Sequence, residues 1–250
     1  AGFEIRDQIM WIYGSGFPKS HNMPGGIGTA LKPANEPICL ARKPIEEKTV
    51  AANVLKYGTG GLNIDASRIG TEQITINHHE GYDSNFLNGS TRGKWTGKQE
   101  TVTGRWPANV LFDEEAAAML NEQSGPCKTG NIKPGTFQGF GKGVNTYGAG
   151  VVERSFKTDE ATGASRFFYV AKASKRERGE GNNHPTVKPI KLMKYLIKLI
   201  TPPNGTVLDP FCGSGSTGLA AKNLGFQFIG VEMNEEYVEI AEKRINSVKV

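Results

Sequence analysis

"TVLDPFCGSGSTGLAAKNLGFQFIGVE", residues 206–232, decides the fold class. It opens on a short apolar run, TVLD (206–209), which reads as a buried strand. A glycine turn follows, then the helical segment STGLAAKNLG (216–225) with Gly225 as its stop, then FQFIGVE (226–232), a second strand. In the turn Gly213, Gly215 and Gly218 spell G-x-G-x-x-G, and Glu232 ends the second strand. Strand, glycine turn, helix, strand and acid in this order make one nucleotide-binding half of a doubly wound α/β sheet.

The turn's own residues choose among nucleotides. A dinucleotide sets its pyrophosphate against the turn and the helix N-terminus. Asp209 would place a negative charge there, and Pro210 has no N–H to offer. S-adenosylmethionine carries no phosphate; it carries a sulfonium and an amino-acid zwitterion, which tolerate nearby carboxylates. Glu232 can accept both hydroxyls of a ribose. Asp209 and Glu232 therefore favour S-adenosylmethionine over a dinucleotide, whose oxidoreductase chemistry is the rival reading. A phosphate loop of the form G-x-x-x-x-G-K-[ST] is absent.

Upstream, PIKLMKYLIKLI (189–200) predicts a helix with Pro189 in its first turn, lysines 191, 194 and 198 on one face, and Leu192, Met193, Leu196, Leu199 and Ile200 on the other. Downstream, a helix is expected from about Asn234, its N-cap, to Ser247. RFFYVAKAS (166–174) reads as a strand. Towards the N-terminus, FEIRDQIMWIY (3–13) and EPICLARKPI (36–45) read as strands and EKTVAANVLKY (47–57) as a helix stopped by Gly58. Between these blocks, residues 58–165 are rich in Gly, Asn, Thr and Lys with weak apolar periodicity; RWPANVLF (105–112) and a helix at 113–125 are the ordered islands. Three parts result: 1–60, an irregular insertion at 61–165, and 166–250.

The chain has 250 residues, net charge +5 and a sequence pI near 9.0, a balance that suits a nucleic-acid partner. No apolar run approaches the roughly 18 residues a membrane span needs. Cys39, Cys127 and Cys212 are far apart and show no ligand spacing, and His78-His79 lack partners, so no metal is expected. Free thiols fit a reducing cytoplasm.

DPFCGSGST (209–217) preceded by HPTVKP (184–189) resembles the amino-methyltransferases of DNA, in the permuted (β-type) motif order. In that order a catalytic half comes first, a target-recognition region follows, and the cofactor half comes last. GFEIRDQIMWIYGSGFPKS, GRWPANVLF and RFFYVAKAS are similar to bacterial and phage members, so the resemblance covers nearly the whole chain.

The resemblance implies a Rossmann-like S-adenosylmethionine-dependent methyltransferase sheet with residues 61–165 as target-recognition region. It implies methylation of the exocyclic amine of adenine, less so cytosine, in double-stranded DNA. It also implies a bacterial cytoplasmic setting, whether the gene is bacterial or phage-borne, and a cognate restriction endonuclease as partner. The cofactor set is Asp209, Pro210, Phe211, Cys212, Gly213, Ser214, Gly215, Thr217 and Glu232, with His184, Thr186 and Lys188 wrapping the methionine end. The candidate DNA contacts are Arg92, Lys94, Lys98, Arg105, Lys133 and Lys142.

One departure stands out. The family's catalytic loop, Asp/Asn/Ser-Pro-Pro-Tyr/Phe, is expected ahead of GFEIRD, and Pro202-Pro203 is the only Pro-Pro in the chain. No catalytic residue is therefore assigned. The expectation is a fragment, its sheet incomplete at the N-terminus, or a remnant that binds cofactor or DNA without transfer. The resemblance further implies that the strand carrying that loop lies between the strand ending at Asp209 and the one spanning IRDQIMWIY.

Overall fold

The computed structural model describes residues 2–16, 21, 23–80, 94–126, 163–171 and 181–248. Strands β1 (Glu4–Ile12) and β2 (Asn35–Arg42) pair antiparallel, with Ile9 opposite Ile38. Their connection is long, and burial alternates along the pair, with Ile9 and Trp11 of β1 buried and Ile38 and Leu40 of β2 half-buried between exposed residues. Helix α1 (Val50–Tyr57) follows. The Thr49 hydroxyl accepts from Ala52 N–H at its start, and Gly58 closes it in the left-handed region at φ 69°.

Strands β3 (Ile69–Glu80) and β4 (Lys94–Arg105) form a separate antiparallel ribbon. Residues 69–80 and 94–105 are thus regular within the stretch expected to be irregular. Gln73 lies opposite Thr103, Ile74 opposite Val102 and Thr75 opposite Thr101. The ribbon alternates Ile and Val with Thr and Gln, but neither face meets a deep core, so its apolar signal is too weak to read from sequence.

Strand β5 (Val110–Asp113) lies parallel to β1 on the side away from β2, and helix α2 (Glu114–Ser124) leaves it with Asp113 as N-cap, accepting from Ala116 N–H at 2.7 Å. Residues Ala164–Phe167 wind into a 3₁₀ turn, so β6 (Tyr169–Ala171) starts later than the expected residue 166, and residues 172–174 lie outside the described residues. It pairs parallel with β5, and the sheet order is β2-β1-β5-β6.

Helix α3 (Ile190–Ile200) leads to β7 (Thr206–Asp209), α4 (Ser216–Asn223), β8 (Gln227–Gly230) and α5 (Glu235–Asn246). Strands β7 and β8 pair parallel, Val207 opposite Phe228 and Asp209 opposite Gly230. This is the β–turn–α–β unit expected from 206–232, and the whole is a mixed α/β fold with parallel strand pairs.

Helix α3 joins the two sheets. Its Leu192, Tyr195 and Leu199 enter one core with Ile9, Trp11, Leu111 and Ala171. Its Ile190 and Ile197 enter a second with Ala220 and Ala221, against which Val207 and Phe228 pack. Tyr195 stacks on Tyr169 with ring centroids 4.2 Å apart, and burial pushes its phenol up to about 12.

Among the described residues, strand β1 has β2 on one side and β5 on the other. Among the described residues β7 pairs only with β8, and Leu208 and Ile229 stand side by side on an exposed face of that pair. Among the described residues no helix is long and apolar enough to cross a membrane.

Candidate functional site

The site forms where β7 and β8 end. Asp209, last in β7, folds back on the turn. Its Oδ1 accepts from Phe211 N–H at 3.1 Å and its Oδ2 from the Thr217 hydroxyl at 2.5 Å. Its carbonyl accepts from Val231 N–H at 2.9 Å, continuing the ladder into the turn. Asp209 and Thr217 together thus brace the chain reversal between β7 and α4.

Gly213 and Gly215 adopt φ of 50° and 78°, in the left-handed region where a side chain is disfavoured. Space forbids one as well. A Cβ on Gly213 would sit 2.7 Å from His184 Nε2, and one on Gly215 would sit 2.8 Å from Ala241 Cβ. Gly218 lets α4 lie directly on Phe228 and Ile245. The three glycines thus have separate reasons: two set the turn, one sets helix packing.

Glu232 closes the mouth. Its Oε2 accepts from Gly213 N–H at 2.8 Å, and its Oε1 accepts from Met233 N–H at 3.0 Å and Asn234 N–H at 3.1 Å. The Asn234 and Gly213 N–H groups hold its carboxyl below the usual carboxylate range. Cys212, beside it, has its thiol pushed up first by burial, then by the negative charges of Asp209 and Glu232. Both carboxylates therefore act on one small volume, and that volume is negative.

The segment Asn182–Thr186 lies against this turn. The His184 ring meets Gly213 and packs edge-on against Tyr237 of α5 at 4.6 Å, and His184 Nδ1 accepts from Thr186 N–H at 3.2 Å. Phe211, Val231 and Met233 are exposed around the mouth, and Pro210 is exposed beside them. Ser214, in contrast, is buried.

Lys188 contacts the β1–β2 pair. Its ammonium meets Glu36 of β2 at 2.5 Å and lies 5.6 Å from the Trp11 ring centroid. It ties the start of α3 to the β1–β2 pair. The other residues of the expected set gather at the turn.

The candidate DNA contacts are scattered. Arg105 Nε meets Glu72 at 2.6 Å and its guanidinium stacks 4.4 Å from the Phe167 ring, largely buried. That ion pair lowers the Glu72 pKa. Arg105 therefore fastens the base of the ribbon to the 3₁₀ turn. Lys98 is exposed on β4, and Lys94 is the first residue of that strand. Arg92, Lys133 and Lys142 lie outside the described residues, as does the glycine-rich stretch 129–150.

Sequence reading missed Asn182, Tyr237 and Arg244, which hold the turn from behind. Asn182 adjoins HPTVKP and could have been suspected from that. Tyr237 and Arg244 carry no local signal, because their role exists only once α5 lies over the turn. Pro202-Pro203 forms the α3–β7 connection, with Gly205 N–H donating to Pro202 O at 3.0 Å and Asn204 at φ 60°.

A DNA methylase family model matches residues 1–243. The Type II methyltransferase M2.LlaDCHI of Lactococcus lactis subsp. cremoris is 41% identical over 78 residues, 31% of this chain and 29% of that protein. The Type II methyltransferase M.HinfI of Haemophilus influenzae is 46% identical over 66 residues, 26% of this chain and 18% of that protein. A solved structure titled as the M1.HpyAVI–SAM complex is 45% identical over 32% of this chain and 39% of that one, with a TM-score of 0.29. The matched segments span less than a third of the length of those two curated relatives. With a family model that covers residues 1–243, the chain belongs to the DNA methylase family.

Proposed function

We propose that residues 184–186 and 209–232 hold S-adenosylmethionine, and that the chain serves a DNA amino-methyltransferase acting on adenine in preference to cytosine. The observation that carries the reading is Glu232 bridging from the end of β8 to Gly213 N–H, with Asp209 at the same mouth. Two carboxylates there repel a pyrophosphate and tolerate a sulfonium. The exposed Phe211, Val231 and Met233 offer an apolar lip for a purine, and Glu232 Oε2 keeps acceptor capacity for a ribose hydroxyl. The bound cofactor supplies the methyl group; the chain's residues orient it and shield it from water. Lys188 is left out of the set because it is engaged with Glu36.

Double-stranded DNA is the proposed partner, in a bacterial cytoplasm, alongside a restriction endonuclease of the same system. Supporting this are family membership, the net charge of +5 and the β3–β4 ribbon. Two-stranded ribbons fit a major groove. One ribbon face carries Gln73, Thr75, Gln99, Thr101 and Thr103, all exposed and uncharged, suited to base edges.

Binding without transfer by these 250 residues is the second reading. It is favoured by the only Pro-Pro being spent on the α3–β7 turn, so that no Pro-Pro loop holds a flipped base. Titration of the chain with S-adenosylmethionine and with NAD tests the first reading: saturable binding of the former alone is expected, and binding of NAD alone would refute it. Incubation with tritiated cofactor and mixed-sequence DNA tests the second, with no label in DNA expected.

A further inference from the structure

Ser214 lies at the centre of the glycine turn and is buried, with 3% of its surface exposed. Two residues from different elements converge on it. From the segment before α3, Asn182 donates from Nδ2 to the Ser214 hydroxyl at 3.1 Å, while its Oδ1 accepts from His184 N–H at 3.1 Å. From the last turn of α5, Arg244 donates to the Ser214 carbonyl, to its hydroxyl at 3.0 Å and to the Ser216 hydroxyl at 3.5 Å. Asn182 is itself buried, at 7% exposure.

We infer that Asn182 and Arg244 are positioning residues for the cofactor turn, acting through Ser214; this rests on the cofactor reading above. A serine hydroxyl has two acceptor sites. Asn182 and Arg244 fill both, so the side chain is locked in one orientation. Arg244 also holds the Ser214 carbonyl, which lies between the two left-handed glycines, Gly213 and Gly215. A turn with two glycines is the most pliable part of the chain, because glycine populates many backbone states. Fixing the Ser214–Gly215 peptide from outside pre-organises the turn next to the Gly213–Glu232 contact before any ligand arrives. The same Asn182 carries His184 onto Gly213, so one side chain sets both walls of the mouth. Both residues meet the turn at Ser214. Their effect should thus fall on affinity, through the ordering that a ligand must otherwise impose.

The test uses the full chain and S-adenosylmethionine in calorimetric titration, with a thermal melt of each variant. Arg244→Met and Asn182→Ala are each expected to weaken binding about tenfold or more while the protein stays folded. Arg244→Lys, which can still reach one acceptor, should recover part of the loss. A merely structural role would lower the melting temperature and leave the affinity of the folded protein unchanged, with no rescue by lysine. If the unmodified chain binds and both variants bind equally well, the inference is overturned while the cofactor reading stands. If Arg244→Met fails to fold, Asn182→Ala decides alone by the same criterion. If the unmodified chain does not bind, the cofactor reading fails and takes this inference with it.

Discussion

Glu232 shows how much one side chain can be asked to do. Its three backbone N–H donors favour the charged form and hold its pKa below the ordinary value of 4.5. A depressed carboxylate contributes stability that is present above its ordinary value and lost as pH falls through the lowered one. Melting temperature should therefore drop on the acid side, and Glu232→Gln should flatten that limb relative to the unmodified chain. Parallel acid limbs would mean the three contacts carry no charge-dependent stabilisation. The sequence made this acid legible, because strand, glycine turn, helix, strand and acid is a local pattern. It could not reveal that Asp209 spends both oxygens on Thr217 and Phe211, or that Lys188 turns to Glu36, because those partners depend on side-chain geometry. Lys188→Met is expected to leave cofactor affinity within about twofold. The Lys188–Glu36 pair is about half exposed and solvent-screened, so its loss should cost no more than about 1 kcal/mol in a melt. A tenfold loss of affinity would return Lys188 to the cofactor set.

At the level of elements, the boundaries that sequence set well are those with local chemistry. Gly58 ends α1, Asp113 starts α2, and Asn234 caps α5 by accepting from Glu236 and Tyr237 N–H, whereas α1 begins after Thr49, inside the expected 47–57. The β3–β4 ribbon escaped because its Ile and Val alternate with Thr and Gln over only a few residues of each strand. Its exposed face and its lysine make separable predictions. Replacing Gln73, Thr75, Thr101 and Thr103 by alanine in the chain should relax base preference while leaving the salt dependence of binding unchanged. Each good base contact is worth about 1–3 kcal/mol of discrimination. Lys98→Ala should weaken binding to all sequences alike and reduce the salt slope by about one. Filter binding across a salt series on matched and mismatched duplexes separates the two. An unchanged base preference in the ribbon variant would remove the ribbon from the reading surface.

For the molecule as a whole, α3 is the part that makes two sheets one structure. Its sequence predicted a single apolar face, yet the structure uses two. Leu192, Tyr195 and Leu199 serve the β2-β1-β5-β6 sheet, while Ile190 and Ile197 serve the β7–β8 pair. Leu192→Ala removes a nearly fully buried side chain and should cost about 2–5 kcal/mol in a denaturant melt. The cofactor unit alone was legible as a local motif; its attachment through α3 was not, because it depends on which helix face meets which sheet. The claim that unites these scales is that the turn between β7 and α4, closed by Glu232, is where S-adenosylmethionine sits. Photolabelling the chain with tritiated S-adenosylmethionine and mapping the labelled peptides tests it most directly. Label is predicted in peptides covering His184 and residues 209–232, displaced by unlabelled cofactor and not by NAD. Label confined to other segments, or displaced by NAD, would contradict the account.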